Sequence, residues 1–210
     1  MNLTTALHTA QGSLFDTDDL LPPGLSFQPD FISRAEEAAL LQIIQALPVR
    51  QARYHQYTAW RRVYSFGAED DRGGERLAPH ERQFELPAPV QALRTRLAAW
   101  VDIAPQEFAQ VMVSEYPVGA PLGWHRDAPH YELIAGVSLA SPARLRFRPW
   151  AGIDNEAAAA SRSIGLGLDL EPRSAYVMRG PARWAWQHSV PPVAALRFSI
   201  TMRTLRAATP

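Results

Sequence analysis

The 210-residue sequence contains no cysteine and no lysine. The first absence excludes disulfides, zinc–thiolate sites and cysteine nucleophiles together, so any bound metal has to rest on His, Asp or Glu. The second makes all 21 basic residues arginine, a compositional bias from which no function follows. No apolar run approaches the roughly 20 residues of a membrane-spanning helix. Met1 to Gly12 lacks the basic and apolar stretches of a secretory signal. There is no net charge either, since 21 acids balance 21 bases. That balance argues against coating nucleic acid by bulk electrostatics and leaves room for a local basic groove. These absences predict a cytoplasmic protein with no membrane partner, expected to act as a monomer.

What is present is ordinary globular material, 47% hydrophobic and 20% charged. Residues 1–23 read as a flexible arm, acidic at Phe15 to Asp19 and stopped by Pro22-Pro23. Residues 24–206 read as one domain without internal repeats. The alanine run 157–160 falls in a loop or insert. Ser33 followed by Glu36 forms a capping box that opens a helix over 34–46, and Pro48 closes it. Leu40, Leu41, Ile43, Ile44 and Leu47 give that helix an apolar face. A second helix is predicted over 88–101 from Val90, Leu93, Leu97 and Trp100 or Val101. Beyond Pro105 the pattern changes to short strands at 108–116, 133–140, 145–147, 164–170, 174–178 and 196–203. Helices followed by many strands predict an α+β chain whose second half is a sandwich or jelly roll.

The chemistry starts at Gly123-Trp124-His125-Arg126-Asp127. His125 and Asp127 are two apart, so an extended segment points both side chains to one face. His188, within Gln187-His188-Ser189, is a candidate third ligand. Two imidazoles and one carboxylate on one side of a metal leave the opposite positions open, the facial triad of non-haem iron(II) oxygenases. Alone, His-x-Asp is much more often the pattern of a surface turn or a satisfied histidine. The strand Leu196 to Arg203 adds an independent feature. Its apolar residues fill one face, while Arg197, Ser199, Thr201 and Arg203 fill the other. That polar face either meets water or lines a barrel mouth. In the second case the two arginines hold a short dicarboxylate between them, because the planar guanidinium binds carboxylate bidentately.

The segments Tyr116-Pro117-Val118-Gly119, Trp124-His125-Arg126-Asp127, Ile134 to Leu139, Leu170-Glu171-Pro172-Arg173-Ser174, Trp186-Gln187-His188 and Arg197 to Arg203 together resemble the AlkB family of iron(II)- and 2-oxoglutarate-dependent dioxygenases. Arg61-Arg62-Val63 with Phe66-Gly67 resembles an upstream segment of that family. The resemblance implies a double-stranded β-helix (jelly-roll) core with the N-terminal helices packed on one sheet. It implies Fe(II), 2-oxoglutarate and O2 as cofactors. It implies His125, Asp127 and His188 as catalytic iron ligands, and Arg197, Arg203 and Tyr116 as contacts to 2-oxoglutarate. Ser114 and Ser199 fall at cosubstrate positions where many members carry the longer Asn. The implied reaction is oxidative dealkylation of alkylated DNA or RNA, as repair or modification, releasing succinate, carbon dioxide and an aldehyde.

Residues 50–76 interleave aromatic and basic side chains, among them Tyr54, Tyr57, Trp60, Arg61 and Arg62. Bases stack on aromatic rings and phosphates pair with arginine, so this segment is a candidate substrate lid. It reads equally as two strands with aromatics inward and arginines outward. Trp124 and Trp186, beside the candidate ligands, are candidates to stack on a flat substrate or to wall the barrel. Ala128-Pro129-His130 follows the metal Asp where members that repair methylated adenine or cytosine carry acids. The Leu170–Ser174 and Arg61–Val63 segments look more like branches acting on RNA or protein. Two other readings stand beside nucleic-acid dealkylation. One is an oxygenase acting on a protein side chain or a small molecule, and the other is a non-catalytic metal-binding β-barrel.

Overall fold

A computed structural model of the chain describes residues 21–54, 57–67, 85–150 and 166–207. Eleven strands in these segments form two antiparallel sheets. The large sheet contains β1 (Leu25–Gln28), β2 (Arg50–Tyr54), β3 (Tyr57–Gly67), β4 (Phe108–Tyr116), β6 (Tyr131–Leu139), β9 (Ala175–Met178) and β11 (Arg197–Leu205). Their order is β1-β9-β6-β11-β4-β3-β2. The small sheet contains β5 (Leu122–His125), β7 (Ala143–Pro149), β8 (Leu166–Leu170) and β10 (Trp186–Val190), in the order β5-β10-β7-β8. This is the jelly-roll arrangement expected for the second half of the chain.

Two helices cover one face of the large sheet. The first, α1 (Arg34–Ile44), starts where Ser33 Oγ accepts from the Glu36 N–H and the Glu36 carboxylate accepts from the Ser33 N–H. The second, α2 (Ala88–Val101), ends on Asp102 in the left-handed region, φ 59°. Leu40, Ile44, Val90, Leu93 and Leu97 pack in one cluster with Val111, Val113, Ile200 and Met202 of the sheet. Ser33→Ala removes the reciprocal cap and is expected to cost about 1 kcal/mol of stability, read as a lowered thermal midpoint.

A second cluster fills the space between the sheets, with Leu145 and Phe147 of β7 meeting Ile134, Tyr176 and Met178 of the large sheet. Strands β4 and β11 are therefore buried on both faces. On β11 the apolar Phe198, Ile200 and Met202 face the helices. The polar Arg197, Ser199, Thr201 and Arg203 face the interior, where Arg197 is 2% and Arg203 7% exposed. The alternative in which this face meets water is excluded.

Glu37, on the buried side of α1, ties the helix to two strand ends. Its carboxylate accepts from the Ala140 N–H at 2.9 Å and from Arg173 Nη1 at 3.2 Å. Ala140 (φ 69°) and Arg173 (φ 72°) are both left-handed, an uncommon state for residues with a Cβ. The Leu170–Ser174 stretch is thus a turn held from outside by α1. Its neighbour Pro181–Trp184 forms a single helical turn, α3, after Gly180.

Several boundaries differ from the sequence expectation. The first helix ends at Ile44 rather than residue 46. Strands β1, β5 and β10 were not expected, being only four or five residues long. Segment 50–67 is a hairpin on the edge of the large sheet, with Arg50 opposite Val63 and Gln51 opposite Arg62. Residues 1–20 of the expected arm, 68–76 of the expected lid and the 157–160 insert lie outside the described residues. Pro23 is inside them, and its carbonyl accepts from the Ala182 N–H at 2.8 Å.

Candidate active site

Two short strands of the small sheet bring the candidate ligands together. Strand β10 pairs with β5 so that His188 lies directly opposite His125, and Asp127 follows two residues later. One ligand atom from each of His125, Asp127 and His188 lies within 4.8 Å of the others. The imidazole rings are 4.3 Å apart at their centroids. His125 Nδ1 is 2.9 Å from the Gly123 carbonyl oxygen. A carbonyl can only accept, so Nδ1 carries the proton and Nε2 keeps its lone pair.

The charges of this group suit a cation. Burial lowers the pKa of His188 to about 3, with the neighbouring His125 adding to the effect. Burial also lowers that of His125, against the pull of Asp127. Both rings are therefore neutral near pH 7 and able to ligate. Burial works to raise the Asp127 pKa, but the charge of the Arg203 guanidinium beside it leads the opposing effects and keeps the carboxyl ionised. Asp127 Oδ1 accepts from Arg203 Nη2 at 2.8 Å and Nε at 2.9 Å. Asp127 Oδ2 is buried with no hydrogen bond and lies 3.5 Å from His188 Nε2. Since His188 is neutral, that approach is not an ion pair. A buried carboxylate oxygen without a donor is costly, and a divalent cation between it and the imidazoles resolves the cost. The donor set of two nitrogens and one oxygen fits iron(II).

Arg183 fixes the loop behind the ligands. Its Nη2 donates to the carbonyls of Asp127, Ala128 and Tyr131 at 3.1, 2.7 and 3.0 Å. Nothing in the sequence marked this arginine, because its partners are backbone carbonyls.

A cavity of about 930 Å³ extends from the ligand group along the inner face of the large sheet. Its floor is laid by register. Arg197 of β11 lies opposite Tyr116 of β4, Ser199 opposite Ser114, and Arg203 opposite Gln110. All six are buried. Arg203 sits at the metal end, where its Nη1 also donates to Gln110 Oε1 at 2.9 Å. Arg197 sits six residues away at the other end. Its Nε donates to Ser138 Oγ at 3.3 Å, and its Cζ is 4.9 Å from the Tyr116 ring centroid. Both arginines of the expected pair line the cavity, and Arg203 additionally holds Asp127. Gln110 and Tyr176 line the floor as well and were not anticipated. Tyr176 has room only because Gly136 faces it: a Cβ at 136 would stand 2.4 Å from the ring.

The candidate substrate residues scatter. Arg61 lines the cavity and is 4% exposed. Arg62, on the opposite face of β3, is ion-paired with Glu115. Trp60 is 64% exposed and points outward. Trp124 alternates with His125 and lies on the outer face of the small sheet, with Arg148 Cζ 4.5 Å and Arg146 Cζ 5.2 Å from its ring centroid. It is not a wall of the cavity. Trp186 shares the inward parity of His188 and packs against the inter-sheet cluster. The side chains of Tyr54 and Tyr57 lie outside the described residues.

Residues 24–203 match the family described as the 2OG-Fe(II) oxygenase superfamily. The alkylated DNA repair protein ALKBH8 homolog of Arabidopsis thaliana is 33% identical over 192 residues. That alignment takes in 85% of this chain and 54% of the plant protein, so the chain spans about half the length of that relative. Among solved structures, OsALKBH1 superposes with a TM-score of 0.64 at 14% identity, covering 88% of this chain and 99% of the other. A prolyl-4-hydroxylase of Pseudomonas putida superposes with a TM-score of 0.54 at 18% identity, covering 91% and 97%. At such identities the structural likeness establishes the fold.

Proposed function

The chain belongs to the 2OG-Fe(II) oxygenase superfamily and is an AlkB-like, Fe(II)- and 2-oxoglutarate-dependent dioxygenase, and on that premise we propose that it removes alkyl groups from nucleic acid by oxidation. His125, Asp127 and His188 would hold the iron. Bound iron with 2-oxoglutarate and dioxygen supplies the oxidising power to hydroxylate a C–H bond, and a hydroxylated N-alkyl group leaves as an aldehyde.

The chain's own residues set the conditions for that step. Arg203 takes both available lone-pair directions of Asp127 Oδ1 and so aims Oδ2 at the two imidazoles. The Gly123 carbonyl fixes the His125 tautomer, and Arg183 holds three loop carbonyls in place. Such supporting contacts orient ligands and raise metal affinity. Arg197, Tyr116 and Ser199 form a polar end that would receive the remote carboxylate of 2-oxoglutarate. Leu145 and Ile134 wall the cavity with apolar surface and limit water there.

The nucleic-acid reading rests on one observation, a rim of arginine-stacked tryptophans beside the metal end. Arg126, between His125 and Asp127, lines the cavity and has its Cζ 3.3 Å from the Trp150 ring centroid. It also donates to the Trp184 carbonyl at 3.2 Å. Trp184 in turn carries Arg206 with its Cζ at 4.9 Å. Guanidinium groups stacked on half-buried rings at a cavity rim suit phosphate pairing, and they supply local positive charge in a chain of no net charge. The name of the Arabidopsis relative points the same way.

The test is release of formaldehyde from methylated single-stranded DNA, RNA and peptide panels with Fe(II) and 2-oxoglutarate. Formaldehyde from a nucleic acid, matched by succinate, is expected. Product from peptides alone would replace nucleic acid by protein as substrate, and absence of succinate throughout would leave a metal-binding barrel.

A further inference from the structure

The outer face of the small sheet carries charge that the metal site does not use. Strand β7 alternates, so Leu145 and Phe147 point to the core while Arg144, Arg146 and Arg148 point out. Successive arginines stand about 6.6 Å apart along the strand, twice the rise per residue. Arg144 leans toward β8, where it is ion-paired with Asp169 at 2.8 Å and lies over Gly167. The other two lean the opposite way. Arg146 Nε donates to Ser189 Oγ at 3.2 Å, and Arg148 Nε donates to Gln187 Oε1 at 2.8 Å. Both partners are neutral, and among the described residues neither arginine has an acid within ion-pair distance. The Trp124 ring braces the pair by cation–π contact, its centroid 5.2 Å from Arg146 Cζ and 4.5 Å from Arg148 Cζ. Trp124 thus has a duty on the face it occupies, holding two guanidinium groups whose Nη atoms stay available.

The row leads to the mouth of the cavity. Strand β7 ends at Pro149, and the next residue, Trp150, carries Arg126 with its Cζ 3.3 Å from the ring centroid. Arg126 lines the cavity together with His125 and Asp127. Arg146, Arg148 and Arg126 therefore form a file of guanidinium groups from the middle of the outer face to the metal end. The strand partners on either side of β7 are Ser189, Gln187 and Gly167, so the file is one charge wide. Like charges so placed repel one another, and a line of anions laid along them relieves the repulsion. The arginine fork matches phosphate oxygens, and alternate positions on a strand match the spacing of successive phosphates in an extended single strand. We propose that this face is a phosphate track, on which the single strand flanking the target nucleotide runs from the cavity mouth over β7, with Arg126, Arg148 and Arg146 each taking a phosphate. The track rests on the nucleic-acid reading of the active site and adds to it a surface outside the cavity.

The test is binding of labelled, unmethylated oligothymidylate of about 20 nucleotides to the full chain, read by fluorescence anisotropy over a range of salt. Mn(II) and 2-oxoglutarate are present and oxygen is excluded. The double variant Arg146→Gln, Arg148→Gln is expected to bind about tenfold or more weakly at low salt and to flatten the slope of log affinity against log salt by about 1.4, two single-strand phosphate contacts. Arg146→Lys with Arg148→Lys keeps the charges and is expected to restore most of that slope. Asp169→Asn frees Arg144 to join the file and is expected to tighten binding and steepen the slope, a gain that misfolding does not produce. Calorimetric 2-oxoglutarate affinity on the same samples reports that the cavity is intact. A Gln pair that matches the unmodified protein in affinity and slope overturns the track and leaves the active-site reading standing. So does a Lys pair as weak as the Gln pair, which would make the two arginines structural. An unmodified protein that binds no oligonucleotide and releases no formaldehyde from methylated nucleic acid overturns the active-site reading and the track together.

Discussion

Asp127→Asn is expected to abolish succinate formation while leaving the fold standing. The two oxygens of Asp127 have separate duties. Oδ1 accepts two hydrogen bonds from Arg203, and Oδ2 is the bare oxygen aimed at His188. Asparagine keeps a carbonyl oxygen for Arg203 and places a donor amide where the metal belongs. An amide nitrogen is no ligand for iron(II), and the neutral side chain withdraws the one negative charge from the donor set. Turnover should fall by roughly three orders of magnitude or more, as when one member of a catalytic unit is removed. Asp127→Ala would confuse the result, because it leaves the Arg203 charge buried and uncompensated, a loss of about 3–5 kcal/mol. The measurement is succinate release, with Mn(II) titration and a circular dichroism melt on the same sample. Appreciable turnover by the Asn variant would remove the proposed triad.

Arg197→Met is expected to separate activity from stability in opposite directions. The guanidinium is 2% exposed and makes a hydrogen bond to Ser138 and a ring contact to Tyr116. Methionine fills much of the same volume with no charge to desolvate, so the protein without cosubstrate should melt at an equal or higher temperature. Its affinity for 2-oxoglutarate should fall about a hundredfold, the loss of a bidentate charge-assisted pair. A melting temperature that drops in the absence of ligand, with affinity intact, would make Arg197 a structural residue instead.

These effects depend on details that the sequence disclosed unevenly. The second helix and β4 begin and end where their patterns say, because each has a long periodic run with clear punctuation. The capping box at Ser33 was legible for the same reason. Strands β5 and β10 were not, since they are short and carry His125 and His188 in place of an apolar alternation. The paired arginines were equally ambiguous. A sheet with water on one face shows which side of a strand is inside, but this sheet has helices on one face and the cavity on the other. Arg61 and Arg62 are adjacent and chemically identical, so only the register of β3 against β4 decides which enters the cavity. Trp124 failed as a stacking candidate by the same parity, one residue from a ligand and on the wrong face.

The position of β11 between β4 and β6 bears on how the protein is made. It is the latest of the described strands in sequence and sits in the middle of the large sheet. During synthesis, β4 and β6 emerge early and wait with unpaired edges until residue 205 clears the ribosome. The helices, the metal end and the carboxylate end then assemble in one event, since β11 supplies side chains to all three. Truncation before this strand should yield an aggregation-prone chain rather than a smaller working enzyme.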